Sequence, residues 1–484
     1  MRLRTTTALA ALLAAGITPL AIAAPSAAAA AKLSDDFNGD GYRDLVVGAP
    51  EATVSGKEYA GAVTVLYGAA AGPGKGKKQL ISQATAGVEG AAEANDEFGR
   101  SVASADLDAD GYADLLVGAP YEDVTGAKNR GGVTVLWGGA QGLKGSAALP
   151  TAGPSAGATG CVFGVGLSAV NPKAAAGRAV VSVAGWCATR RLTGPFTRSG
   201  KPATNSLEMS TPSADDTLLG DLNGDGRADY VDITVGLSDH PDGGVYVNPV
   251  DGSEDEMLPT DGDNATIGDV NGDGFGDLVI GDPADDVIDG TPREGTGHKG
   301  GQIAVWLGSA QGITPAGAPL LLHQDTPGVP GAAEPNDSFG SDVSVADVNG
   351  DGYGDIAVGV PGEKLGSARE AGSVILVPGG PTGPTGAGSR SISQSSSGVP
   401  GTTEHGDRFG STVRLADLTK DGRPELVVGA PGESAAGRNN EMGGIWVFKG
   451  TPSGPTPGSS YSVMGEATGL SAARYNHWSS TLAP

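Results

Sequence analysis

Long apolar runs are missing from this 484-residue chain once its first thirty or so residues are passed. That excludes a later membrane-spanning helix, which needs about 20 consecutive apolar residues. Convincing amphipathic helices are missing as well. Positive charge is scarce: 31 Lys and Arg stand against 56 Asp and Glu, for a net charge of −25. Such a surface repels phosphate backbones, so a nucleic-acid partner is disfavoured. Histidine is rare. His240, His298, His323, His405 and His477 form no His-Glu-x-x-His pair and are read as surface residues. Gly153-Pro154-Ser155-Ala156-Gly157 matches G-x-S-x-G in letters only, because no strand precedes it and no helix follows. No catalytic residue is assigned, and the chain reads as a binding module before it reads as an enzyme. Cys161 and Cys187 are the only cysteines. In an oxidising compartment two such residues are expected to pair.

Glycine and acidic residues are abundant, and much of the acidity is patterned. Six times the chain writes nearly the same ten residues: DFNGDGYRDL from Asp36, DLDADGYADL from Asp106, DLNGDGRADY from Asp221, DVNGDGFGDL from Asp269, DVNGDGYGDI from Asp347 and the looser DLTKDGRPEL from Asp417. Oxygen side chains fall at positions 1, 3, 5 and 9, and Gly stands at 6. The candidate ligands are Asp36, Asn38, Asp40 and Asp44; Asp106, Asp108, Asp110 and Asp114; Asp221, Asn223, Asp225 and Asp229; Asp269, Asn271, Asp273 and Asp277; Asp347, Asn349, Asp351 and Asp355; and Asp417, Thr419, Asp421 and Glu425. Position 7 would add a backbone carbonyl from Tyr42, Tyr112, Arg227, Phe275, Tyr353 or Arg423. Alternating oxygens around a glycine turn suit a hard cation with six to eight oxygen ligands, so Ca²⁺ is expected. An Asx-rich hairpin without an ion would not require carboxylates at alternate positions. Nineteen carboxylates stand at these ligand positions, and without a cation they would repel one another.

The loops are not EF-hands, which need Glu at position 12 and an exiting helix. Here a short β-branched run follows, as in Leu45-Val46-Val47-Gly48-Ala49-Pro50 and Leu426-Val427-Val428-Gly429-Ala430-Pro431. The loop therefore joins two strands. Phe98-Gly99, Phe339-Gly340 and Phe409-Gly410 each stand eight residues before a loop. A polar stretch follows each Gly-Ala-Pro, then a Gly-led strand such as Gly132-Val133-Thr134-Val135-Leu136, then a fourth strand such as Gln79-Leu80-Ile81-Ser82. Four antiparallel strands per unit, repeated this often, indicate propeller blades.

The Phe-Gly, Asp-x-Asx-x-Asp-Gly-x-x-Asp and Gly-Ala-Pro elements together resemble the FG-GAP repeat, the blade unit of the integrin α-subunit N-terminal propeller. The resemblance implies an all-β, seven-bladed propeller of four-stranded antiparallel blades over residues 32–484. It also implies about five to six structural calcium ions on a lower face and ligand contacts on an upper one. The seventh unit is degenerate. It begins at Val162-Phe163-Gly164, and Asn171-Pro172-Lys173-Ala174 cannot supply the carboxylates. No calcium is expected there, and a Cys161–Cys187 bond is expected to substitute for it. Blades 4 and 5 lack Phe-Gly, which leaves the boundaries between about 190 and 265 open.

Residues 1–31 are read as a secretion signal, with Arg2 and Arg4 before the apolar stretch Ala8–Ile22. The polar stretches 51–60, 121–130, 282–299, 362–371 and 432–442 are expected on one face, opposite the metal loops, as a composite binding surface. The function expected is that of a secreted, monomeric, calcium-binding adhesion or ligand-binding module, its partner an extracellular protein or glycan. The alternative is a hydrolase or hydrolase-associated propeller, similar to the repeat region of glycosylphosphatidylinositol-specific phospholipase D. Finally, the first loop begins so early that blade 1 lacks its Phe-Gly strand. Residues 475–483 are expected to supply it, pairing beside the strand that leads into Asp36–Asp44, with Trp478 in place of Phe and Ser479 in place of Gly.

Overall fold

Runs of Val, Leu and Ile favour the pleated, half-buried surface of a strand, and the Gly, Pro and Asx clusters between them favour turns. The computed structural model describes residues 33–483 apart from 125, 151–157, 176–177, 209–212, 235–242, 249–254, 289–290, 293–296, 435–440 and 471–475. The signal assigned to residues 1–31, the G-x-S-x-G letters and His240 lie outside the described residues.

Seven four-stranded antiparallel sheets follow one another as the blades of a propeller. Blade 2 shows the plan: Val102–Ala105, Asp114–Ala119, Gly132–Leu136 and Ser146–Ala148, paired in that order. Blade 3 runs Leu167–Val170, Val180–Val183, Thr189–Thr193 and Thr204–Glu208, and blade 4 runs Ala214–Gly220, Asp229–Thr234, Gly244–Val247 and Glu256–Asp261. These two settle the boundaries that the sequence left open. Blade 5 (Asn264–Gly268, Asp277–Asp282, Gln302–Trp306, Leu320–Leu322) adds a small ribbon, Val287–Ile288 with Thr291–Pro292. Blade 6 spans Val343–Ala346 to Arg390–Ile392, and blade 7 spans Thr412–Ala416 to Ser460–Met464. Helical structure among the described residues is confined to three short 3₁₀ turns, and none is long and apolar enough to cross a membrane.

Blade 1 holds Leu45–Ala49, Ala62–Leu66 and Lys78–Ile81, and its fourth strand is Thr481–Ala483 from the far end of the chain. The tail does close the ring, with one correction. It pairs with the strand leaving the first loop, not with one leading into it: Val46 faces Ala483, Val47 faces Leu482 and Gly48 faces Thr481.

The cores lie between blades. The Phe-Gly phenylalanines Phe98, Phe163, Phe339 and Phe409 and the closing Trp478 are all fully buried at these seams. The Gly of Gly-Ala-Pro is set by the same packing. A Cβ on Gly359 would lie 2.1 Å from the Gly410 carbonyl of the next blade. The seam between blades 3 and 4 differs. There Arg191 donates to Asp232 (2.6 Å) and to Thr217 Oγ1, which also bonds the Ser182 hydroxyl.

Candidate metal loops and the opposite loop face

Five of the metal loops join the first two strands of their blades, and the first leads into the matching strand Leu45–Ala49 of blade 1, so the six gather at one end of the ring. The loop folds around its own carboxylates. In the first, Asp36 accepts the N–H groups of Gly39, Asp40 and Gly41 at 2.7–3.1 Å, Asn38 Oδ1 accepts that of Asp40, and Asp40 Oδ1 accepts that of Tyr42. The copies at Asp269 and Asp347 repeat this set bond for bond. The loops at Asp106, Asp221 and Asp417 keep the bond from position 6 to position 1 and the bond from position 7 to position 5. These bonds require left-handed backbone at positions 4 and 6. Position 6 is glycine throughout, whereas Ala109 and Lys420 hold position 4 at φ 60° in the second and last loops.

Position 9 has a second role that the spacing did not reveal. Asp44 Oδ2 accepts the Phe37 N–H (2.9 Å), and its Oδ1 accepts that of Gly68 (2.8 Å), which follows the third strand. Asp114, Asp277, Asp355 and Glu425 do the same, so each ties its loop to two strands. Among the described residues, Asp229 keeps the bond to position 2, from Leu222, and also accepts from Asn223 Nδ2. All six side chains are buried. Burial, more than the neighbouring carboxylates, pushes Asp44 up to about 7, Asp114 to about 8 and Asp277 to about 6.

Crowded acidic oxygens of this kind fit a cation. In the second loop Asp106, Asp108 and Asp114 bring carboxylate oxygens within 4.8 Å of one another. Asp108 Oδ1 and Asp221 Oδ1 are buried with no hydrogen-bond partner, so their lone pairs face no donor. The residues at positions 1, 3, 5 and 9 named above would hold Ca²⁺, with its charge offsetting theirs.

Two cationic residues that the sequence reading missed enter these loops. Arg198 reaches from blade 3 to Asp108 (2.6 Å) and Asp110 (2.5 Å) in the second loop. Ninety residues separate them, and no spacing rule finds the contact. Lys420 lies 5.4 Å from the ring centre of Tyr42. The loops also touch each other through position 7. A Cβ on Gly39 would lie 2.6 Å from Tyr112, and Phe275 and Tyr353 sit in the same way against Gly224 and Gly272. In the degenerate blade 3, Asn171 exchanges two 2.9 Å hydrogen bonds with the backbone of Asp106, bracing the neighbouring loop.

The polar stretches join the second and third strands and therefore lie at the opposite end, as expected. Their backbones bond the segment before the next Phe-Gly: Phe98 N–H to Ala60 O, Phe163 to Arg130, Phe339 to Gly300, Phe409 to Ala371 and Trp478 to Met442, at 2.7–3.1 Å. A further inter-blade tie recurs three times: Gln83 donates to Glu122, Gln324 to Glu363 and Gln394 to Glu433, at 2.6–2.7 Å. The constant separation of 39 residues was the legible signal for these glutamates. A cleft of about 520 Å³ between blades 6 and 7 is lined by Asp337, Lys364, Arg369, Glu370 and Arg408 among others. Reading all five histidines as surface residues is corrected for three of them. His477 bonds Glu51 and Glu441, and His298 stacks on His323, all three part-buried because their rings pack against neighbouring loops.

The Cys161–Cys187 disulfide is formed. It does not occupy the place of a metal loop. Cys161 precedes the first strand of blade 3 and Cys187 lies between the second and third, at the end carrying the polar stretches.

The FG-GAP repeat family matches residues 33–66, 98–136, 339–377 and 409–448, which fall in blades 1, 2, 6 and 7. The chain carries four FG-GAP repeats. Blades 3, 4 and 5, outside those matches, each lack a metal loop or Phe-Gly. Similar stretches occur in phosphatidylinositol-glycan-specific phospholipase D of Bos taurus, 38% identical over 112 residues, or 23% of this chain and 13% of the phospholipase. Integrin alpha-4 of Xenopus laevis is 29% identical over 185 residues, 38% of this chain and 15% of the integrin. Integrin alpha-8 of Mus musculus is 32% identical over 163 residues, 32% and 14% respectively. The FG-GAP chain thus matches only about a seventh of each relative's length.

Proposed function

We propose that this FG-GAP propeller is a secreted monomer, with its signal in residues 1–31 and its propeller in 32–484. In this reading about five to six structural calcium ions hold one face, and the other face binds an extracellular protein or glycan. The observation that carries the reading is the repeated convergence of buried carboxylates at one end of six blades, including the orphaned oxygens of Asp108 and Asp221. Calcium there is structural, because the would-be ligands are built into hairpin turns and not into a cleft. A hydrolase-associated role is the second reading, favoured by the stretch shared with the bovine phospholipase.

Metal analysis of the purified protein is expected to return five to six calcium ions per chain. Each filled site stabilises the native state by about 2.7 kcal/mol when free Ca²⁺ stands 100-fold above its Kd. Excess chelator is therefore expected to lower the melting temperature strongly, and added Ca²⁺ to restore it. An unchanged melt together with metal content near zero would sink the calcium reading. Glycan and protein arrays probed with and without chelator test the binding face, and hydrolysis of a glycosylphosphatidylinositol substrate would favour the second reading.

A further inference from the structure

Blade 5 departs from its sister blades at three positions that meet in space. His298 ends its polar stretch, where blades 1, 2 and 6 carry Glu58, Lys128 and Arg369. His323 and Asp325 follow its fourth strand, where blades 1 and 6 carry Ser82 with Ala84 and Ser393 with Ser395. The turn that holds His323 is the common one. Its N–H donates to Thr326 Oγ1 and its carbonyl accepts the Thr326 N–H, just as Ser82 and Ser393 do with Thr85 and Ser396. A rigid turn of the scaffold thus presents an imidazole and a carboxylate that the matching turns of blades 1 and 6 lack.

The two imidazoles lie face to face, 3.5 Å between ring centres and 9° from parallel. His298 Nδ1 is 2.9 Å from the Lys299 carbonyl. A carbonyl only accepts, so the proton of the neutral ring is on Nδ1 and the lone pair on Nε2. That lone pair faces Asp325 Oδ2 at 3.8 Å. Two acceptors opposed at this distance repel, and either a proton on Nε2 or a metal cation between them relieves it. Asp325 is fixed from its other side, since its Oδ1 accepts the Ala333 N–H. His323 Nδ1 is buried and has no hydrogen-bond partner. Ligand atoms of all three side chains lie within 4.8 Å of one another. Two ligands on a tetrahedral ion with bonds of about 2.1 Å stand about 3.4 Å apart, so the donor atoms are near enough, and the stacked rings would have to turn until their in-plane lone pairs converge on the ion.

We propose that His298, His323 and Asp325 bind one borderline divalent metal ion, of the Zn²⁺ class, at the polar-loop end of blade 5. The donor set decides the class. Two imidazole nitrogens and one carboxylate suit Zn²⁺, Ni²⁺ or Cu²⁺, whereas the hairpin loops offer only oxygen and suit Ca²⁺. The ion would staple the end of the polar stretch of blade 5 to its outermost strand.

The test is calorimetric titration of ZnCl₂ into full-length protein at pH 7.5 with Ca²⁺ saturating. One equivalent of Zn²⁺ is expected to bind and not to be displaced by further Ca²⁺. His298→Ala and His323→Ala are each expected to weaken it by at least about tenfold, and Asp325→Asn to weaken it while leaving nitrogen ligation to Cu²⁺ visible by electron paramagnetic resonance. Calcium content and melting temperature without Zn²⁺ are expected to match the parent, which separates loss of the site from loss of the fold. Absence of saturable Zn²⁺ binding, displacement by Ca²⁺, or full affinity in the His298→Ala/His323→Ala double variant would each overturn the proposal.

Discussion

Arg198 shows how a side chain far away in sequence can set the behaviour of a repeated motif. Its guanidinium lies on Asp108 and Asp110, the position-3 and position-5 carboxylates of the second loop. That loop has four carboxylates where most copies have three, and a cation from the next blade offsets the excess. Calcium entering there has to displace the guanidinium, so Arg198→Ala is expected to raise the calcium affinity of one site and leave the others unchanged. Calcium titration of the variant beside the parent checks this, and identical isotherms would contradict it. His477 is the second residue with consequences. Its ring bonds Glu51 of blade 1 (2.7 Å) and Glu441 of blade 7 (3.2 Å), the place where blades 6 and 7 use Arg408 and Glu370. The hydrogen bond to Glu51 first, and the two glutamate charges with it, raise the His477 pKa above the ordinary value against the opposing effect of burial. The sign follows: a raised pKa means that the folded state binds the proton more tightly. The stabilisation is complete below the unfolded value near 6.5 and is lost as pH rises through the folded one. Melting curves across pH 5–9 are expected to show a fall that His477→Arg reduces, since arginine keeps its charge. A fall of equal size in that variant would assign it elsewhere.

At the scale of loops and strands, the repeat was legible because its constraints are local. Loop positions 1, 3, 5 and 6 answer to backbone N–H groups within five residues, so the letters recur with the geometry. Blade 4 was harder. Its first strand carries a register shift between Ala214 and Asp216 instead of Phe-Gly, and its inner seam is held by the Arg191–Asp232 pair, which no local pattern announces. The double role of position 9 was hidden for the same reason, its second partner lying 24 residues on in Asp44, Asp114 and Asp355. The disulfide was readable as a pair but not as a place. Its 26-residue separation constrains the unfolded chain by about 3–4 kcal/mol in the entropic account. The Cys161→Ser/Cys187→Ser double variant is expected to lose stability of that order in chemical denaturation. Because the bond sits at the end opposite the metal loops, its calcium content is expected to stay the same. A variant that also lost calcium would restore the idea that the bond stands in for a metal.

A ring of blades has one place where the chain must meet itself, and here that place is built from both ends. Residues 476–483 touch blade 7 and blade 1 at once. The Trp478 N–H donates to Met442 O of blade 7, and its indole donates to Thr64 Oγ1 of blade 1. Ser479 N–H bonds Gly48 O, its hydroxyl bonds Gly444 O, and its carbonyl accepts from Thr412. Ser479 also takes φ 83°, the left-handed backbone that the glycines of Phe-Gly adopt, so a serine bears strain that glycine would not. The tail therefore occupies the Phe-Gly position in full. Trp478 is completely buried in the core shared by blades 7 and 1, and truncating such a side chain to alanine typically costs about 3–5 kcal/mol. Removal of everything after residue 474 goes further. It deletes the indole, the Thr481–Ala483 strand and the His477 clasp, and leaves Leu45–Ala49 as an open edge. The seam between blades 3 and 4 could then part as well, since a buried ion pair contributes less cohesion than an apolar core. Trp478→Ala is expected to lower the melting temperature of the whole molecule as one transition, and the truncation to abolish cooperative melting and admit protease at several seams. A truncated chain that melts as one unit at the parent temperature would show that the blades hold the ring without the closing strand.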